Sequence, residues 1–333
     1  MKYQNILNDN KIKCTVCPRE CNLAEGQRGF CHVRQNLNGN ITLTSFGYTT
    51  GLNIDPIEKK PLYHFYPGSD VLSFGTIGCN MGCLFCQNYH TSKAKVDPQL
   101  LERRLPQEIA ELALRKGCKS VAFTYNDPVT FLEYAIETAK ECKKRGIKTV
   151  AVTAGYINPE PRKEFFKYID ATNIDLKGFS EKFYKKNCLA HLEPILDTIK
   201  YVKKETDTWL ELTTLLIDGE NTLEKEIETQ VNWILDNIGD SVPLHFSAFH
   251  PCYKFSDRKP TLPETLFKAY EIATKAGLRY VYLGNIANTQ TSTTYCHNCK
   301  NKIIERNSYF ITQYKLDEKG HCKFCKAKCE GVF

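Results

Sequence analysis

No stretch of this chain approaches the roughly 18 consecutive apolar residues that a membrane-crossing helix requires. The opening residues MKYQNILNDNKIK are too polar to read as a secretory signal, so the expected compartment is the cytoplasm. Glycine and proline are sparse, 19 and 14 in 333 residues, which excludes a collagenous, low-complexity or disordered chain. An excess of charge is also lacking: 45 Lys and Arg against 38 Asp and Glu leave +7, a weak bias toward acidic partners. With 42% hydrophobic residues, the chain can bury a full core as two domains or as one large unit with appendages. Neither disulfides nor metal are needed merely to fold.

Cysteine is what the chain has in excess, 16 residues in all. In a reducing compartment, grouped thiols indicate metal rather than disulfides. One group, Cys14, Cys17, Cys21 and Cys31, lies near the start. A second, Cys79, Cys83 and Cys86, follows the first strong strand pattern. A third, Cys296, Cys299, Cys322, Cys325 and Cys329, lies near the end. Cys118, Cys142, Cys188 and Cys252 stand alone and read as small buried hydrophobes.

Between the outer groups, β-branched runs alternate with amphipathic stretches. The runs are VLSFGTIG (71–78), SVAFTY (120–125), IKTVAVT (147–153), ATNIDLKG (171–178), WLELTTLLI (209–217), VPLHFSAFH (242–250) and LRYVYLG (278–284). Helices are predicted over 105–116, 128–146 and 191–205, and another after Thr261, where Thr261-x-x-Glu264 suggests a capping box. Seven strands with helical crossovers predict an α/β fold with a parallel sheet. A doubly wound sheet is the alternative, but cysteines stand where its Gly-rich phosphate loop belongs. Polar residues gather at the C-terminal ends of the strands: Asn126, Asp127, Thr153, Asp175, Lys177 and His250. That distribution favours an open or partial barrel with one central site. The expected division is a Cys-rich segment over 1–68, the barrel over 69–290 and an appendage over 291–333.

The segment GTIGCNMGCLFCQNYH carries Cys79-x3-Cys83-x2-Cys86 in a glycine-bearing loop after a strand, with Phe85 before the third cysteine. A closed zinc site needs a fourth ligand, for which His90 is the candidate. Three thiolates on an iron–sulfur cubane would instead leave one iron open to a chelating ligand.

At these residues the chain resembles the radical S-adenosylmethionine (radical SAM) superfamily. FTYNDPVT, NIDLKGF, WLELTTLLIDG and PLHFSAFHP extend the likeness to relatives of pyruvate formate-lyase activating enzyme. CTVCPRECNLAEGQRGFCHVR and the late cysteine pairs narrow it to the AmmeMemoRadiSam-system group. The resemblance implies a partial (β/α)6-type TIM barrel. It also implies a [4Fe-4S] cluster on Cys79, Cys83 and Cys86 that reductively cleaves S-adenosylmethionine to methionine and a 5′-deoxyadenosyl radical. Asp127, in an Asn126-Asp127-Pro128 stretch where relatives carry Asn-Glu-Pro, would accept from the methionyl amino group; a helix N-cap is its structural alternative. Lys177 would pair with the methionyl carboxylate, Asp175 would hold Lys177 or a cation, and a surface ion pair is the alternative. His250 would contact the adenine end unless it is a core histidine. Thr153 and Thr213 would supply hydroxyls, and Phe85 would pack on adenine or cluster. Ala154 stands where relatives carry Asn. Cys188 reads as a buried thiol or as a donor or acceptor of hydrogen at the site. An electron donor of the ferredoxin or flavodoxin type is implied. The substrate stays open: protein (as in glycyl-radical activation), peptide, nucleic acid or small molecule.

Cys14-x2-Cys17-x3-Cys21-x9-Cys31 offers four thiolates, suited to structural zinc or to an auxiliary iron–sulfur cluster. The charged residues Arg19, Glu20, Glu25 and Arg28 among them predict a solvated flap. Cys296-x2-Cys299 and Cys322-x2-Cys325, separated by a hairpin pattern, have the layout of a zinc ribbon, although Lys300 and Lys326 stand where such turns usually carry glycine. Cys329 is left to replace a ligand or to bind separately. A different class of function also fits the cysteine groups, a non-catalytic zinc-binding module that contacts nucleic acid or protein.

Overall fold

The computed structural model describes residues 2–7 and 11–333. Its centre is a nine-stranded, mostly parallel sheet. Seven strands pair in chain order, β1 (Asp70–Gly75), β2 (Ser120–Phe123), β3 (Lys148–Thr153), β4 (Ala171–Asp175), β5 (Trp209–Leu216), β6 (Leu244–Ala248) and β7 (Val281–Gly284), all parallel. The strand Tyr48–Pro56 pairs antiparallel with β1, and Glu102–Arg103 pairs beyond it. Helices α1 (Pro106–Arg115), α2 (Leu132–Lys144), α3 (Pro159–Phe166), α4 (Glu193–Glu205), α5 (Glu224–Ile238) and α6 (Pro263–Ala276) connect successive parallel strands. Strands covered on both faces are near-continuous apolar runs, which is why β2 (SVAF) is buried at every position. Helix α1 starts with Pro106 in its first turn, and the Glu108 carboxylate accepts the Leu105 N–H at 2.6 Å. Its buried side is Ile109, Ala110 and Ala113.

Two local expectations are corrected. The helix expected over 128–146 opens as a 3-10 turn at Pro128–Phe131 before α2 begins. Thr261 does not cap α6: its hydroxyl donates to Leu216 O and accepts from Phe249 N–H, so Leu262 holds the N-cap position. A tertiary bond between strand ends outcompetes the local capping pattern. The stretch Tyr48–Pro56 lacks the alternation of a two-faced strand, and its place in the sheet comes from pairing with β1.

The N-terminal segment is not a solvated flap. Its short strands Gln4–Ile6, Ile12–Cys14 and Asn22–Leu23 form a small sheet, and Cys14, Val16, Leu23, Cys31 and Val33 are buried. Arg34 reaches Glu133 on α2 with two bonds, 2.9 and 2.6 Å; the guanidinium is buried and the carboxylate half-buried.

The C-terminal strands Thr294–Tyr295, Lys302–Asn307 and Phe310–Tyr314 form a third sheet. It docks through Arg306, which is fully buried. Arg306 donates to Tyr63 O at 2.7 Å and to Thr294 Oγ1 at 2.9 Å, lies 4.2 Å from the Tyr63 ring centre, and has Glu58 3.6 Å from its Nε. Nearby, the buried Glu211 of β5 accepts from Tyr63 N–H, His64 N–H, Trp209 Nε1 and His245 Nε2. Four donors satisfy that carboxylate and fix residues 63–64 against the sheet.

Candidate active site and metal centres

The central site begins where β1 ends. Gly75 is packed so closely that a Cβ there would lie 2.4 Å from Thr124 O and 2.6 Å from Asn126 Oδ1. Asn126 uses this approach to hold the start of the cysteine loop. Its Oδ1 accepts Thr76 N–H at 2.9 Å, and its Nδ2 donates to Gly78 O at 2.7 Å. The other side of the loop is pinned by Gly82 N–H to Cys188 O (2.7 Å) and Leu84 N–H to Asn187 O (2.9 Å). A loop fixed this way presents its sulfurs without paying for ordering when a ligand arrives.

Cys79, Cys83 and Cys86 line one cavity of about 300 Å³ beside the C-terminal ends of β2 to β6. Seven of the eight expected cofactor residues line it too: Phe85, Asn126, Asp127, Thr153, Asp175, Lys177 and Thr213. His250 does not; it is exposed, and Ser247 of β6 faces the cavity instead. His90 lies outside the cavity lining, while Ser92 donates to or accepts from Cys86 Sγ at 3.1 Å. Lys93, Ser247 and Asn285 also line the cavity and were not foreseen. The Gly284-Asn285 pair at the end of β7 is the signal that marks Asn285, which takes φ +59°.

Asp127 has two jobs. Its Oδ1 accepts Val129 N–H (3.1 Å), capping the 3-10 turn, and Thr153 Oγ1 (2.9 Å); its Oδ2 accepts Ala154 N–H (2.8 Å). Burial pushes the Asp127 carboxyl up against the stabilising effect of these donors. An ionised carboxylate has about four acceptor positions, so three bonds leave one toward the cavity. Ala154 contributes through its backbone N–H. Lys177 Nζ donates to Asp175 Oδ2 at 2.8 Å, and both line the cavity. Burial lowers the Lys177 ammonium, but the charges of Asp175 and of a Cys83 thiolate outweigh it and hold the group well above its ordinary value. Cys188 is buried against Cys83, whose thiol is pulled down to about 6 by the Cys188 hydrogen bond and by Lys177. Phe85 is buried between Phe183 and Phe255, at 6.0 and 6.1 Å between ring centres.

The C-terminal group gathers tightly. Sγ atoms of Cys296, Cys299, Cys322 and Cys325 all lie within 4.8 Å of one another, with Cys296–Cys325 at 3.6 Å and Cys299–Cys322 at 3.7 Å. Tetrahedral ligation at about 2.3 Å per sulfur sets neighbouring sulfurs about 3.8 Å apart, so the quartet is shaped for one ion. Lys300 and Lys326 take the left-handed conformation that glycine usually supplies, φ +60° and +64°, and their N–H groups bond to Cys296 O and Cys322 O. Cys329 is outside the quartet.

The Radical SAM superfamily profile matches residues 74–231, the segment that carries the cysteine loop and β2 to β5. An uncharacterised protein of Methanocaldococcus jannaschii is 42% identical over 327 residues, covering 98% of this chain and 97% of its own. The chain belongs to the radical SAM superfamily. A second similarity is to the 4-hydroxyphenylacetate decarboxylase activating enzyme of Clostridium scatologenes, 33% identical over 84 residues, 25% of this chain and 27% of that protein. Among solved structures, Streptococcus suis SuiB bound to its precursor peptide SuiA aligns with a TM-score of 0.52 at 15% identity. That alignment spans 70% of this chain and about half (52%) of SuiB, and it speaks for the fold alone.

The superfamily's [4Fe-4S] cluster and S-adenosylmethionine fit the residues present. Three sulfurs of one loop face the cavity without converging on a single ion, and Thr213 Oγ1, buried in the same wall, has no hydrogen-bond partner. An orphaned buried hydroxyl beside a charged pair marks a space built for a polar ligand. Among the described residues, no helix is long and apolar enough to cross a membrane.

Proposed function

We propose that Cys79, Cys83 and Cys86 hold a [4Fe-4S] cluster with one open iron, and that the protein cleaves S-adenosylmethionine there to abstract hydrogen from a substrate. When reduced, the cluster supplies the electron that breaks the carbon–sulfur bond. Lys177, held by Asp175, neutralises the methionyl carboxylate. Asp127 offers its remaining acceptor position to the amino group, and Thr213 and Ser247 supply hydroxyls along the cavity wall. Phe85 shields the site from water between Phe183 and Phe255. A low-potential ferredoxin or flavodoxin type donor would deliver the electron. The single observation that carries this reading is the grouping of the three sulfurs, the Lys177–Asp175 pair and the unpartnered Thr213 hydroxyl around one cavity.

Lys59, Pro61, Ser247 and Asn285 border both this cavity and a second one of about 740 Å³, walled in part by Asn307, Ser308 and Tyr309 of the C-terminal sheet. That adjoining space is the candidate substrate chamber, and its size suits a peptide segment as in activating enzymes. The C-terminal quartet would hold zinc, so that the module shapes the chamber's wall. The test is anaerobic: reconstitute with iron and sulfide, reduce, add S-adenosylmethionine and measure 5′-deoxyadenosine. Wild-type protein should form it, and Cys83→Ala should not, while keeping the C-terminal ion. Zinc in every cysteine group and no 5′-deoxyadenosine would favour a non-catalytic module.

A further inference from the structure

The N-terminal cysteines gather at a cavity of their own, and their spacing differs from that of the C-terminal quartet. Backbone pairing brings the four together: Cys14 N–H donates to Cys21 O at 2.9 Å, the turn at Cys17 is closed by Glu20 N–H at 3.1 Å, and Gly29 N–H donates to Arg34 O at 2.8 Å beside Cys31. Cys14, Cys17, Cys21 and Cys31 all line a single small cavity, together with Arg19, Arg34 and Asn80. Yet no three of their sulfurs approach within 4.8 Å of one another; among the described residues only the C-terminal quartet does so. Four thiolates on one zinc ion would stand about 3.8 Å apart. Four that hold the separate corners of a cubane stand further apart, around a core that fills the space between them.

Other features of the wall agree. Four thiols that share one cavity without meeting leave room for an occupant larger than a single ion. Arg34 lines the cavity and is 3% exposed, and its Nε is buried with no partner although both terminal nitrogens are bound to Glu133. An unpartnered buried donor on a cation is costly unless a negative group faces it, and a four-thiolate cluster carries net negative charge.

We propose that Cys14, Cys17, Cys21 and Cys31 bind a second [4Fe-4S] cluster, fully ligated by protein, rather than zinc. It lies next to the central site. Asn80, which follows Cys79, lines the same cavity, and Arg19 reaches from the N-terminal group to Asn80 O and Leu189 O. The proposal does not depend on the reaction assigned to the central site.

Protein prepared and reconstituted anaerobically should contain about eight iron and eight sulfide per chain with one zinc, against about four, four and two if this group holds zinc. The Cys79→Ala/Cys83→Ala/Cys86→Ala variant isolates the N-terminal group: it should keep about four iron and a cluster absorption near the visible edge while losing all 5′-deoxyadenosine formation. Cys17→Ala/Cys21→Ala should lose the same four iron from wild type. Two zinc ions and no iron in the triple variant, with four iron in the wild type, would overturn the second cluster and leave the central assignment intact. Iron absent from the wild type's central site, with the triple variant unchanged in iron, would do the reverse.

Discussion

The carboxylate of Asp127 accepts the backbone N–H of Ala154 at 2.8 Å and the hydroxyl of Thr153 at 2.9 Å, tying the end of β2 to the end of β3. One residue thereby serves as helix cap, cross-strand tie and cavity wall. Replacing it with Asn puts an amide NH₂ opposite at least one of three donors. Asp127→Asn should lower unfolding free energy by about 1–3 kcal/mol and cut 5′-deoxyadenosine formation. Urea unfolding under anaerobic conditions beside the cleavage assay checks both; a full-strength variant would assign Asp127 neither role.

Lys177→Ala should weaken S-adenosylmethionine binding by about 1.5–3 kcal/mol, roughly ten- to a hundredfold in Kd, because a charge-assisted bond is lost. Anaerobic titration measures it. An unchanged Kd would mean that Lys177 serves only its bond to Asp175.

His64 predicts an acid limb in stability. Its Nδ1 faces Glu330 O and its Nε2 faces Tyr282 Oη, both at 2.6 Å, an arrangement suited to neutral imidazole. Burial lowers it to about 4, against the opposing pull of Glu211. Between that value and the ordinary 6.5 the unfolded chain binds the extra proton, so stability is full above pH 6.5 and falls as pH drops toward 4, by about 3 kcal/mol at most. His64→Gln should flatten this limb in denaturation curves taken from pH 4 to 7.

Arg306→Met should destabilise the protein by about 3–5 kcal/mol, since it leaves Glu58 buried without its cation. Adding Glu58→Gln should recover part of the loss. If the double variant is no more stable than the single one, packing on the Tyr63 ring rather than charge is what Arg306 supplies.

Much of the centre was legible in local sequence. Strand runs, the cysteine spacings and the polar strand ends are short-range patterns, and the sheet, the central cavity and the C-terminal quartet follow them. His250 shows where such reading fails. Side chains alternate along a strand, and His245 and Ser247 share the parity that points inward on β6. His250 lies beyond the strand's end and is exposed, whereas Ser247 lines the cavity, a distinction of register rather than residue type.

By itself the amino-acid order determined which groups the chain carries: three thiols in one loop, four near the start and five near the end, at spacings suited to metal ligation. Tertiary packing decided which sulfurs lie within 4.8 Å of one another, that Asp127 accepts from Thr153 and Ala154 of the next strand's end, and that Arg306 anchors the last sheet. The reason is that ligand spacing along a chain is covalent and local, whereas sulfur-to-sulfur distance and the pairing of buried charges are set by segments up to about 250 residues apart, such as Tyr63 and Arg306.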